Sequence, residues 1–178
     1  MLKRLLFALA LVVFAAAPAL ADPKADIANA FILFGKASSY HMSAAAKGRT
    51  LEVDSEKPDK MHVVSGPMEL VKIGTTTWIK AGGAWRQFNF PGMDQITSAY
   101  SGALNVVQAP PNDVTVTDLG TKTIDGTPLH AYSVVEKSGS ATVYVDNGSG
   151  YPVRVETADG SSVTFSKFNS AGPITAPQ

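Results

Sequence analysis

Residues Trp78 to Phe88, Trp-Ile-Lys-Ala-Gly-Gly-Ala-Trp-Arg-Gln-Phe, read as a β-hairpin. Trp78-Ile79-Lys80-Ala81 leads into Gly82-Gly83, a two-residue turn signal, and Ala84 to Phe88 returns. That turn pairs Lys80 with Trp85 and Trp78 with Gln87, so both tryptophans share one sheet face as diagonal neighbours. A four-residue loop keeps this parity, whereas an odd loop separates them. Two large aromatics on one face mean either core or the lining of a hydrophobic pocket, and both readings stay open here.

The same punctuation recurs outward from this hairpin, at Lys47-Gly48, Gly66-Pro67, Asp125-Gly126, Asn147-Gly148 and Asp159-Gly160. Between the turns lie alternating, β-branched runs: Leu51-Glu52-Val53, Met68 to Ile73, Val114-Thr115-Val116 and Val143-Tyr144-Val145. Tyr40, Met42 and Ala44 alternate with His41, Ser43 and Ala45 in a further strand. The pattern is that of an antiparallel meander, and the absence of βαβ alternation argues against a doubly wound parallel sheet. Tyr144 to Asp146, the Asn147–Gly150 turn and Tyr151 to Glu156 form another hairpin. For Val153 and Val155 to share a face with Val163 and Phe165, the next loop needs an odd count, which Asp159-Gly160-Ser161 supplies. The Pro- and Gly-rich tail from Ser170 to Gln178 reads as irregular.

Two segments carry helical spacing. Asp22 is placed as an N-cap with Pro23 at the first helical position. Ile27, Ala30, Phe31 and Phe34 then form an apolar stripe, and Gly35 is positioned to end the helix. The stripe is either a buried docking face or the wall of a ligand cavity. The second segment has Met93, Ile96, Tyr100, Ala103, Leu104 and Val107 at helical intervals, with Pro110-Pro111 as the stop. Thr97, Ser98, Ser101 and Gly102 are poor helix formers, so this helix depends on what it packs against. It reads as a covering helix or a movable lid.

The first 21 residues have the layout of a secretory signal peptide: Lys3 and Arg4, an apolar run from Leu5 to Ala16, and the small-x-small site Ala19-Leu20-Ala21. The run falls short of the ~20 residues of a membrane span. Removing 21 of 178 residues leaves 157 from Asp22, enough for one domain over residues 22–178. The 15 basic residues become 13 against 15 acidic ones, a net charge of −2. The expected location is periplasmic or secreted, with no membrane span in the mature chain. A near-neutral chain has no charge excess for nucleic acid. The absence of Cys removes disulfide frameworks, lipid anchoring through Cys, Cys-type zinc sites and thiol chemistry. At 45% hydrophobic, the composition is that of a globular protein.

Catalytic signatures are missing. His41, His62 and His130 lie in separate strands, with no His-x-His pair and no His, Asp or Glu four residues on, so neither a metal nor a cofactor is expected. Gly148-Ser149-Gly150 is a turn rather than a nucleophile elbow. Gly35-Lys36 is followed by Ala37, which breaks a phosphate loop. Acidic residues such as Asp125, Asp146 and Asp159 flank turns. No feature supports an enzyme. What stands out is apolar material, and the candidate ligand-binding residues are Phe31, Phe34, Trp78, Trp85, Phe88, Met93, Ile96 and Tyr100.

The order of these motifs resembles a known family. The first helix, then SSYHMSAAAKGRTLEVDSEKPDKMHVV and ELVKIGTTTWIK, is similar to the first half of the LolA-like periplasmic lipoprotein carriers, the matching residues being Pro58-Asp59-Lys60, Gly74 and Trp78. ATVYVDNGSGYPVRVET and SSVTFSKFNSAGPITAP resemble the related mycobacterial LppX and LprG lipid-binding lipoproteins, through Val145-Asp146, Pro152 to Glu156 and Ile174 to Pro177. The resemblance implies an α+β fold: a strongly curved antiparallel β-sheet, an unclosed half-barrel, with helices covering the concave face. It further implies a hydrophobic cavity for acyl chains and makes the Met93–Val107 helix a candidate lid. The chain departs from the family in lacking the anchoring Cys, and Arg49 is the nearest match to the carriers' lid-contacting Arg.

The leading expectation is a soluble periplasmic binding or transport protein for a lipid or acyl-chain ligand. A protein-interaction or envelope-stress module on the same fold, with an envelope protein partner and no ligand, is the second. A hydrolase with an unrecognised site is the third.

Overall fold

The computed structural model describes residues 22–88, 114–137 and 139–178. Residues 1–21, read as a signal peptide, and the Met93–Val107 stretch lie outside them. Helix α1 spans Pro23–Lys36, with the Asp22 carboxylate accepting the Lys24 N–H at 3.0 Å. Its buried stripe is Ile27, Ala30, Phe31 and Phe34, as the spacing predicts. The helix does not stop at Gly35. It ends with Ala37 as cap, whose N–H reaches the Phe34 carbonyl at 3.1 Å. The stop is imposed from elsewhere in the fold: Ala37 is fully buried, Asn169 Oδ1 accepts the Ser38 N–H at 2.7 Å, and the Lys57 ammonium donates to the Gly35 carbonyl.

The strands are β1 (Ser39–Ala46), β2 (Arg49–Glu56), β3 (Lys60–Ser65), β4 (Met68–Ile73), β5 (Thr76–Ala81), β6 (Ala84–Phe88), β7 (Thr115–Ile124), β8 (Thr127–Glu136), β9 (Gly139–Asp146), β10 (Pro152–Thr157) and β11 (Ser162–Ser166). They form one curved, unclosed antiparallel sheet in the order β6-β5-β4-β3-β2-β1-β11-β10-β9-β8-β7. One meander runs outward from β1 to the edge strand β6. A second returns from the opposite edge, β7, to β11, which pairs with β1. The founding hairpin has the predicted register, Lys80 opposite Trp85 and Trp78 opposite Gln87.

Two bulges reset the faces in the second meander. One lies between Asp118 and Gly120, where Gly120 has φ +70° and donates its N–H to Asp118 at 2.7 Å. The other lies between Pro152 and Arg154 and corrects the sequence reading. Val155 stands opposite Val163 as expected, but Val153 is the extra residue and packs with Leu129, Ala131 and Tyr144 on the other face.

The main core lies between α1 and the sheet. Phe34 is its hub, with ring centroids 4.8 Å from Tyr40, 5.0 Å from Phe165 and 6.0 Å from Phe168, above Met42 and Val53. Ile27 and Phe31 continue it over Tyr132 and Val143. α1 is the one helix among the described residues; the covering by several helices expected from the resemblance is not seen there.

Two predictions follow from this packing. Phe34→Ala should lower the unfolding free energy by about 3–5 kcal/mol. Ile32→Ala, at a position 51% exposed on the same helix, should change it by no more than ~0.5 kcal/mol in the same urea titration. The second concerns Tyr132, whose phenol is pushed up to about 12, first by burial and then by the charges of Asp26 and Asp118. Above pH 10 the unfolded chain releases this proton while the folded chain keeps it, so stability falls as pH rises from 10 to 12. The Tyr132→Phe variant should lose less stability than the parent across that window.

Candidate functional site

Register converts the alternation of each strand into rows across the sheet, because directly paired residues project from the same face. On the side that carries α1, one row runs Met42, Val53, Val63, Leu70, Ile79, Arg86 from β1 to β6. Its neighbour runs Tyr40, Ser55, Met61, Lys72, Thr77, Phe88. The opposite face carries His41, Asp54, His62, Val71, Trp78, Gln87 and, beside it, Ser43, Glu52, Val64, Glu69, Lys80, Trp85.

These rows sort the sequence candidates. Phe31 and Phe34 are 2% and 3% exposed and stand on α1 facing the sheet. Phe88 shares the helix side of the sheet, on edge strand β6, and is 39% exposed. Trp78 and Trp85 share a face with each other, as their spacing predicts, but it is the face turned away from α1. Met93, Ile96 and Tyr100 lie outside the described residues. The structure thus places Phe31, Phe34 and Phe88 on one side and the two tryptophans on the other.

The tryptophan face is a network of ion pairs. His41 Nδ1 lies 2.7 Å from Asp54 and its Nε2 3.0 Å from Glu52, which also accepts the Ser43 hydroxyl at 2.8 Å. His62 Nε2 is 3.1 Å from Glu69, and Glu69 accepts from Lys80 at 2.8 Å. The Lys80 ammonium in turn sits 5.5 Å from the Trp85 ring centre, a cation–π contact. The Lys80 hydrogen bond, then that of His62, holds the Glu69 carboxyl below its ordinary value. His130 meets Asp118 at 2.7 Å on the helix side. Every histidine is therefore occupied by carboxylates, and none is bonded to a Ser or Thr hydroxyl among the described residues. Nor do three or more His, Asp or Glu in that set group to hold a metal ion. Spacing along the chain leaves these histidines isolated, but the two-residue turn at Lys47-Gly48 pairs His41 with Asp54.

The helix side of β3–β6 is different. Clusters built on α1 reach Met61 and Val63 on β3, but Leu70, Ile79 and Phe88 belong to none of them. Met68, at the end of the same face, is 46% exposed. A separate open depression of about 620 Å³ lies over the row Val134, Ala141, Thr157, rimmed by Glu136, Ser140 and Asp159. None of the five described candidates, Phe31, Phe34, Trp78, Trp85 and Phe88, lines it. No helix among the described residues is long and apolar enough to cross a membrane.

No protein-family model matches the sequence, and no curated protein matches it. Solved structures do. The lipoprotein LppX of Mycobacterium tuberculosis superposes with a TM-score of 0.64 at 18% identity, over 85% of this chain and 97% of its own. LprF of Mycobacterium bovis superposes with a TM-score of 0.60 at 15% identity, over 88% of this chain and 96% of its own. A LolA superfamily protein from Nitrosomonas europaea matches far more loosely, with a TM-score of 0.32 at 10% identity, over 85% of this chain and 94% of its own. The resemblance seen in the sequence is present as a fold shared with LppX and LprF, which in this chain is a single unclosed antiparallel sheet.

Proposed function

We propose that the protein is a periplasmic or secreted binding protein that carries a lipid or another acylated apolar ligand on the helix side of its sheet. The observation that supports this best is the continuous apolar row Val63, Leu70, Ile79, which runs beyond the reach of the α1 clusters to edge strand β6, where Phe88 stands exposed in the neighbouring row. Each methylene of a ligand buried there contributes about 0.8 kcal/mol, so a chain with ~10 buried methylenes offsets the cost of association. In this reading Phe31 and Phe34 bound the ligand wall on the α1 side and Phe88 bounds it at the sheet edge. Met93, Ile96 and Tyr100 remain ligand candidates from their spacing in the sequence, whereas Trp78 and Trp85 leave the wall for the opposite face.

A second reading is favoured by the strands at the two ends of the described sheet, β6 and β7, with Phe88 and Leu119 39% and 41% exposed. It is a docking module for an envelope protein, without a ligand.

Solvent extraction of protein purified from an exporting host, followed by mass spectrometry, should recover a co-purifying lipid. Added oleate or phosphatidylglycerol should also raise the melting temperature of the delipidated chain. Recovery of no lipid together with an unchanged melting temperature would overturn the carrier reading and leave the docking module.

A further inference from the structure

Charge is divided between the two faces of β1–β6. The acidic residues of these strands, Glu52, Asp54, Glu56 and Glu69, all project from the tryptophan face, where Lys60 and Lys80 each meet a carboxylate at 2.8 Å. The helix side of the same six strands carries Arg49, Lys72 and Arg86 and no Asp or Glu. None of these three cations has a side-chain hydrogen bond or ion pair among the described residues.

Two of them are set into the apolar rows. Lys72 stands between Met61 and Thr77, and Arg86 stands opposite Ile79 on the edge strand. One strand separates them, and they are offset by two residues. With strands ~4.8 Å apart and a rise of ~3.4 Å per residue, their Cα atoms are on the order of 12 Å apart. Two long side chains can approach one small group from both sides of that gap. A guanidinium and an ammonium with no carboxylate partner among the described residues, beside apolar side chains, complement an anion that brings its own hydrocarbon.

We propose that the ligand is an anionic acyl lipid, its carboxylate or phosphate head held between Lys72 and Arg86 and its chain lying inward over Ile79, Leu70 and Val63. This inference rests on the carrier reading and narrows it to a ligand class. Arg49, at the far end of β2, takes no part in the head-group site.

Calorimetric titration of the delipidated mature chain tests it with four probes: oleate, lysophosphatidylglycerol, neutral monoolein and inorganic phosphate. At least one anionic lipid should bind about tenfold or more tightly than monoolein, with affinity falling as salt rises, and phosphate alone should not bind measurably. A preference for oleate identifies a carboxylate head, and one for lysophosphatidylglycerol a phosphate head. The double variant Lys72→Gln/Arg86→Gln should bind the preferred anionic lipid no better than monoolein, with monoolein affinity unchanged. Arg86→Gln alone, at an exposed edge position, should lose part of the preference if the double variant does not fold. Equal binding of anionic and neutral lipids by the parent chain would leave the carrier reading standing and overturn this inference. So would phosphate binding as tightly as either lipid, or a preference that survives both substitutions. No binding of any lipid would overturn the carrier reading and this inference together.

Discussion

The pairing of β1 with β11 makes one sheet out of two meanders. His41 faces Ser166 and Ala45 faces Ser162 across it, with Thr164 donating its hydroxyl to the Ser43 carbonyl over a sequence separation of 121 residues. Closing a loop of that length carries a length-dependent cost of about 4 kcal/mol. The offset comes from what sits on the seam: Phe34 lies over Tyr40 and Met42 of β1 and Phe165 of β11, and all four are less than a tenth exposed. α1 thus acts as a clamp on the strand pairing with the largest sequence separation in the described sheet. Its own C-terminal boundary is set by the same junction, through Ala37 and the Asn169 hydrogen bonds.

The position of that clamp decides which apolar side chains of the sheet α1 does not reach. α1 uses its stripe on β1 and the second meander, so the first meander extends away from it with Leu70, Ile79 and Phe88 outside the α1 clusters. Its other face is saturated with paired charge, from His41 and Asp54 to Glu69 and Lys80. The two faces of six strands therefore have opposite characters: one exchanges ion pairs within itself, and the other offers hydrocarbon with cations and no internal acid. The proposed recognition of an amphiphile rests on this second face, whereas the first supplies cross-strand stability that solvent screening keeps modest.

Much of this was legible in the chain. The hairpin at Gly82-Gly83, the strand from Met68 to Ile73, the N-cap at Asp22 and the stripe Ile27, Ala30, Phe31, Phe34 all depend on residues within a few positions of one another. Turn length and alternation are local, and they state correctly that Trp78 and Trp85 share a face. Local parity cannot say which face meets the helix, because either assignment satisfies the same turn. Val153 shows the other limit: an extra residue at a bulge turns it to the far side from Val155, and nothing in the alternating run marks that insertion.

The sequence by itself determined the antiparallel hairpins, the apolar face of α1 and which side chains stand together along each meander, since these are consequences of backbone geometry over short spans. The tertiary structure alone decided that β1 meets β11, that the tryptophans face away from α1 while Phe88 stands on its side, and that Lys72 and Arg86 share the apolar face with no acidic residue of β1–β6 beside them. Those outcomes rest on burying Phe34 against residues more than a hundred positions away, a packing choice made once for the whole sheet and recorded in no single stretch of the chain.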